Sequence, residues 1–256
     1  RGEFYTAYTP YQPECAQGTL QSIYEYQSAI CRLTNMEFAN ASLYDGGTAV
    51  FEATTMSVRL TGRSKIVLHN SLSPIYRKML VTHTAHLELE LVDGDDPANA
   101  ACVIVQNPSF LGSVADYSAL AERCHAAGAL LVVSFYPISL GLLKTPGAMG
   151  ADICIAEGQS LGVPLAFGGP WLGVMATRKE HVRKMPGRIA AETASSEESL
   201  ALKPWIRTTA RALPASATGT KRTSTGWEER RARTANIIAR GKCRDRSARG
   251  EPRPRR

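Results

Sequence analysis

The sequence predicts an α/β fold: a mostly parallel sheet with helices on both faces. Three observations carry that expectation. Six short strand-like runs recur at a regular pace, Lys65 to Leu68, Leu87 to Val92, Cys102 to Gln106, Leu130 to Ser134, Ile153 to Ala156 and Leu172 to Ala176. Between several of them lie stretches of about ten residues whose apolar positions fall at helical spacing, the alternation that builds parallel sheets covered on both sides. At 256 residues the chain is also long enough to bury one large α/β core or two small ones.

Taken in order, the chain opens on RGEFYTAYTPYQPECAQGT, dense in tyrosine and broken by Pro10 and Pro13, which exclude a regular helix or a central strand. Tyrosines suit a loop that packs one end and wets the other. From Thr19 to Leu33 the positions Leu20, Ile23, Tyr24, Ile30 and Leu33 share one helix face. Asp45-Gly46-Gly47-Thr48 then leads into a helix reaching about Leu60, a glycine-rich entry whose free N–H groups and dipole favour an anion, although a plain helix cap is the favoured explanation. Ser73 caps a helix over Pro74 to Val81, and Tyr117 to Ala127 forms another, closed by Gly128.

The stretch around which the rest is organised is Gly150 to Val174. It reads as a buried strand, a turn holding Glu157, Gly158, Gln159 and Ser160, a glycine-rich corner at Gly168-Gly169-Pro170, and a second strand. Ligands of parallel sheets sit at the carboxyl ends of the strands, so the loops at 107–108, 135–139 and 157–160 are the candidate site. Met185-Pro186-Gly187-Arg188 closes a short basic helix after Met175, whose Arg178, Arg183 and Arg188 are either solvated or face an acidic partner.

The FYTAYTPYQPE opening, the QNPSFLG turn at 106–112, the 150–174 stretch and the ATRKEHVRKMPGRIAAET segment resemble the glycine cleavage system P-protein family, specifically its amino-terminal half or alpha subunit. The resemblance covers about Glu3 to Thr193. It implies the large domain of the pyridoxal-phosphate-dependent transferase fold (aspartate aminotransferase, fold type I). In the cofactor-carrying half of that family the central loop reads His-Lys-Thr-Phe-Cys-Ile-Pro, and its lysine forms the Schiff base. Set on the shared hydrophobic-Pro pair, Val163-Pro164, that lysine falls on Gln159, and an amide nitrogen is no nucleophile. The aspartate that pairs with the cofactor's ring nitrogen corresponds to about Tyr136.

The resemblance therefore implies a subunit of glycine dehydrogenase (decarboxylating) that completes a site without holding the cofactor covalently and is inactive alone. Pyridoxal phosphate would be bound by a partner beta subunit, in a heterotetramer of two alpha and two beta subunits. Glycine would be decarboxylated there and its aminomethyl group passed to lipoyl-H-protein. Tyr5, Tyr8, Thr9, Tyr11 and Gln12 would wall the pocket at the subunit boundary. Gly46, Gly47, Thr48, Asn107, Tyr136, Glu157, Gln159 and Ser160 would be vestiges of cofactor-site loops. The rival from the same fold, a self-sufficient pyridoxal-phosphate lyase or aminotransferase, needs a lysine in the turn after Ala156, and Lys144 and Lys179 lie outside it.

Charge divides the chain in two. Residues 1–198 hold 14 Lys/Arg against 19 Asp/Glu, a net of −5, whereas residues 199–256 hold 16 against 4, a net of +12. The expected organisation is thus residues 1–193 as the transferase-like domain, lacking the family's amino-terminal stretch, and 194–256 as a basic, structureless tail. An abrupt loss of resemblance at about Ala194 favours a frame-shifted or truncated reading of a longer gene, a fragment, over a nucleic-acid-binding arm. Six cysteines without a CxxC pair fit reduced thiols in a cytoplasm. No apolar run reaches the roughly 18 residues of a membrane span, and no signal-peptide pattern opens the chain, so no membrane partner is expected. His83 and His86, near Glu88 and Glu90, invite a metal reading, but a strand over Leu87 to Val92 would scatter those side chains, and no metal is expected.

Overall fold

The computed structural model describes residues 16–194 and 200–205. Its main sheet has seven strands in the order β1-β7-β6-β5-β4-β2-β3. These are β1 (Phe38–Ala39), β2 (Lys65–Leu68), β3 (Glu90–Asp93), β4 (Ala100–Asn107), β5 (Leu130–Phe135), β6 (Ile153–Glu157) and β7 (Gly173–Thr177). The five strands β3, β2, β4, β5 and β6 run parallel, and β7 pairs antiparallel with both β6 and β1. The expected mostly parallel α/β architecture is present.

Side-chain alternation sorts the helices onto the two faces. Ile66, Leu68, Ile104, Val132, Ile153, Ile155 and Met175 point to one side, where α2 (Gly46–Thr61) covers them with Ala49, Val50, Ala53 and Met56. Val67, Val103, Val105, Leu131 and Val133 point to the other, under Leu120, Ala121 and Cys124 of α4 (Ser118–Ala126). Further along that face, Cys154, Ala156, Val174 and Ala176 meet Ile30 and Cys31 of α1 (Gln17–Thr34). Each fully buried aliphatic side chain contributes about 1.5–3 kcal/mol, so double-sided burial makes β4 to β7 the core of the fold. The edge strand β3 instead exposes Glu90 and Asp93, which discourages further pairing.

Local chemistry sets the helix ends. Asp45 caps α2, its carboxylate accepting from the Thr48 amide at 2.6 Å, and Gly62 ends that helix at φ 71°. Ser73 caps α3 (Pro74–Thr84), with Pro74 pre-set for the first turn.

Three expectations change. The strand foreseen over Leu87 to Val92 forms at Glu90–Asp93, because α3 continues to Thr84 and a turn closed by the Leu87 amide on the Thr84 carbonyl (2.9 Å) uses the intervening residues. The short basic helix after Met175 is a 3-10 turn, Lys179–Lys184. The structureless tail foreseen from residue 194 is interrupted by β9 (Leu200–Trp205), which pairs antiparallel with β8 (Ile189–Ala194) in a separate two-stranded sheet. Backbone pairing there does not depend on the apolar alternation that LALKPW lacks. Gln27 of α1 anchors β8 by exchanging hydrogen bonds with the Ala190 N–H (2.9 Å) and C=O (3.0 Å). Residues 206–256 lie outside the described residues, as does the tyrosine-rich opening.

Candidate functional site

The parallel strands deliver their carboxyl ends to one edge of the sheet, where β6 ends on Glu157 beside the entrance of α2. The Glu157 carboxylate is shared among three backbone donors. Oε2 accepts from the Gly46 amide at 2.8 Å, and Oε1 accepts from the Gln159 amide at 3.0 Å and the Leu172 amide at 2.9 Å. The anion that the glycine-rich helix entrance favours is therefore supplied by the chain itself, where free N–H groups and the helix dipole stabilise a carboxylate. Nothing larger than hydrogen fits at Gly46: a Cβ there would lie 2.9 Å from the Glu157 Cβ and would overlap the Tyr76 hydroxyl. Gly173, at the start of β7, is equally confined, since a Cβ would sit 2.5 Å from the Asp45 carbonyl oxygen. Burial, then the neighbouring charges of Glu157 and Asp45, push the Tyr76 phenol up to about 12.

The remaining loops are fastened in the same manner. The Gln159 side-chain amide donates to the Pro170 carbonyl at 3.1 Å, tying the turn after β6 to the strand leading into β7. Asn107 is buried and exchanges two hydrogen bonds with the Ala115 backbone, at 3.0 and 3.2 Å, which closes the loop after β4. Tyr136 directly follows β5 and leaves its ring in solvent, as does the Ser160 side chain. Thr48 acts through its backbone, under the Asp45 cap.

Of the residues foreseen, Gly46, Glu157 and Gln159 thus converge on one hydrogen-bonded knot. Asn107, Tyr136 and Ser160 occupy the same edge without joining it, and Gly47 packs against Met79 of α3. Tyr5, Tyr8, Thr9, Tyr11 and Gln12 lie outside the described residues. His83 sits on α3 with its ring on Phe51 (centroids 5.1 Å apart), while His86 belongs to the exposed turn that follows. Sequence reasoning missed Tyr76 and Leu172. It also missed a polar chain in which the Ser71 hydroxyl meets His69 Nδ1 (2.9 Å) and accepts from the Gln106 amide (2.8 Å), while Gln106 Oε1 accepts from the Ser73 amide (2.9 Å). The only signal for that chain is the run of small polar residues in HNSLSP.

These groups do not fit a covalently held pyridoxal phosphate. Gln159 offers an amide already bonded to the Pro170 carbonyl and no imine-forming amine, and the Glu157 carboxylate already occupies the helix entrance, where a phosphate would otherwise be favoured. Two anions there would repel. The Lys144 ammonium is engaged with Asp116 (3.0 Å) and Ser118 (2.7 Å).

Comparison with known proteins agrees with the architecture. The model of the glycine cleavage system P-protein family matches residues 1–211. A protein of Geotalea daltonii named "probable glycine dehydrogenase (decarboxylating) subunit 1" is 54% identical over 211 residues, covering 77% of this chain and 48% of its own length. One of the same name from Solidesulfovibrio magneticus is 56% identical over 207 residues, covering 75% and 47%. The chain spans about half the length of the curated relatives it matches. Among solved structures, an inhibitor-bound glycine decarboxylase (P-protein) of the glycine cleavage system aligns with a TM-score of 0.75 at 44% identity, over 80% of this chain and 49% of that one. A cystathionine gamma lyase from Micromonospora echinospora aligns at 0.51 and 18% identity, over 64% and 45%, and shares the fold alone. The fold is that of the pyridoxal-phosphate-dependent transferases of fold type I, and the chain belongs to the glycine cleavage system P-protein family.

Proposed function

We propose that this chain is part of the cofactor-free alpha subunit of glycine dehydrogenase (decarboxylating), and that its partner is a homologous beta subunit. Pyridoxal phosphate on that partner would supply the electron sink for decarboxylating glycine, with the aminomethyl group passing to lipoyl-H-protein. The observation that carries this reading is the Glu157 carboxylate bonded to the Gly46 amide, with Gln159 beside it. The chain keeps the framework of a cofactor site and fills its anion position from within.

The work left to such a subunit is to shape and cover a neighbour's pocket. The edge of the sheet that bears the knot is well suited to contact, because Tyr136, Leu161, Leu165, Phe167 and Trp171 expose apolar surface there. Ala166 and Phe167 also hold left-handed backbone (φ 33° and 61°), a conformation that costs about 1–3 kcal/mol per non-glycine residue and persists where a neighbour over-determines it. The tyrosines of the opening segment would add hydroxyls to the same wall. The family match extends through residue 211, and the basic remainder lies beyond it. A cytoplasmic setting accords with Cys31, Cys102, Cys124 and Cys154 being buried and outside any disulfide. Among the described residues no helix is long and apolar enough to cross a membrane.

The test is co-expression with a beta subunit and lipoyl-H-protein, followed by glycine–bicarbonate exchange and by borohydride reduction with mass spectrometry. Exchange should require both chains, and the pyridoxyl adduct should map to the partner. An adduct on any lysine of this chain would overturn the reading.

A further inference from the structure

At the other end of β6, five residues before Glu157, Asp152 is the hub of a cluster the site does not use. Its side chain is only 5% exposed. Oδ2 accepts from the Leu131 amide at 2.8 Å and lies 3.0 Å from His125 Nε2. Oδ1 shares that imidazole at 3.1 Å and otherwise faces His181 Nε2 at 3.9 Å. Glu180 Oε1 lies 3.6 Å from the same His181 nitrogen. That nitrogen is buried and has no hydrogen-bond partner among the described residues, an uncommon state for a polar atom inside a protein.

One nitrogen and two carboxylate oxygens lie within 4.8 Å of one another. In a tetrahedral zinc site with bonds of about 2.0–2.2 Å, ligand atoms are roughly 3.3–3.6 Å apart. The Glu180 spacing to His181 (3.6 Å) is at the end of that range and the Asp152 spacing (3.9 Å) slightly above it, and Glu180, 68% exposed at its side chain, has room to move. His125 and the Leu131 amide fix the Asp152 carboxylate from behind, as outer-shell groups orient a metal-binding carboxylate. The Arg178 guanidinium also stands nearby: its Nε is 4.0 Å from Asp152 Oδ1, but it donates to the Ala151 carbonyl at 2.8 Å.

We propose that Asp152, Glu180 and His181 form a divalent-cation site for an ion of the zinc class, completed by water, at the amino ends of the parallel strands. One imidazole with two carboxylates suits zinc or cobalt better than calcium or magnesium, which prefer oxygen alone. The ion would pin the 3-10 turn after β7 to the start of β6, with His125 carrying the connection to α4. Its role would be structural, since the candidate site lies at the opposite end of the strand.

The experiment uses the full 256-residue chain, stripped with chelator and titrated with Co2+ as a spectroscopic probe, then with Zn2+ as competitor. The expected result is one Co2+ per chain with visible d–d absorption of a low-coordinate site, displaced by Zn2+. Glu180→Gln, an exposed change that leaves the fold intact by circular dichroism, should weaken binding by about tenfold or more. His181→Gln should abolish the d–d bands. If His181→Gln fails to fold, the Glu180→Gln affinity decides alone. No stoichiometric binding, or binding with unchanged affinity in Glu180→Gln, overturns the proposal and marks any bound cobalt as an adventitious ion only.

Discussion

Replacing Glu157 by Ala tests the internal anion most directly. The change withdraws one acceptor group from three backbone donors at once, of which Gly46 is fully buried and Gln159 and Leu172 are closer to water. A charge-assisted bond to a buried amide is worth about 1.5–3 kcal/mol. With the Gly46 bond counted in full and the two wetter ones in part, the loss comes to about 3 kcal/mol. For a folded unit of this size that corresponds to a fall in Tm of about 6–12 °C. Denaturant titration of the two proteins measures the difference. Glu157→Gln, which keeps one acceptor oxygen without the charge, should lose about half as much. The decisive arm is added inorganic phosphate: with the carboxylate gone, the helix entrance should accept the anion, and saturation a hundredfold above Kd returns about 2.7 kcal/mol. Wild type, already filled, should not respond. The reasoning is refuted if Glu157→Ala lies within about 0.5 kcal/mol of wild type, the usual scatter of surface changes, or if phosphate stabilises both proteins equally.

Three further outcomes follow from the same geometry. Gly46→Ala should destabilise by about 1–3 kcal/mol in a urea titration, because its Cβ meets Glu157 and Tyr76 and the start of β7 blocks retreat; a neutral result would mean that the entrance is looser than described. Tyr76, raised to about 12 by burial and then by Glu157 and Asp45, stabilises the fold fully below the ordinary tyrosine range near pH 10. That contribution should fade as pH climbs through 12, and Glu157→Gln should move the ultraviolet titration of this phenol downward. Burial pushes the Cys102 thiol up to about 12 and the Cys154 thiol higher still, so an alkylating reagent at neutral pH should label neither until denaturant is added; rapid labelling of the native protein would contradict their place in the core.

Much of the architecture was legible because double-sided burial leaves a local mark. VIV in β4, LLVV in β5 and ICIA in β6 are continuous apolar runs, and each was located to within two residues of its ends. The cap at Ser73 was equally visible, since a cap bonds within its own first turn. The strand at 87–92 was displaced because its alternation competed with a helix that ran one turn longer, and β9 was missed because its pairing is made by backbone rather than by side-chain pattern.

By itself, the sequence determined a parallel α/β framework whose loops resemble one family, with Gln159 in the turn after the buried strand at 153–156. Those facts are local, written in neighbouring residues and short periods. Only the tertiary structure decided what occupies the helix entrance, because Gly46 and Glu157 are 111 positions apart and their bond exists only once α2 has packed against β6. The same holds for Asp152 and His181, brought together by the antiparallel return of β7. Contacts of that kind depend on the register of strands, and no stretch of neighbouring residues encodes them.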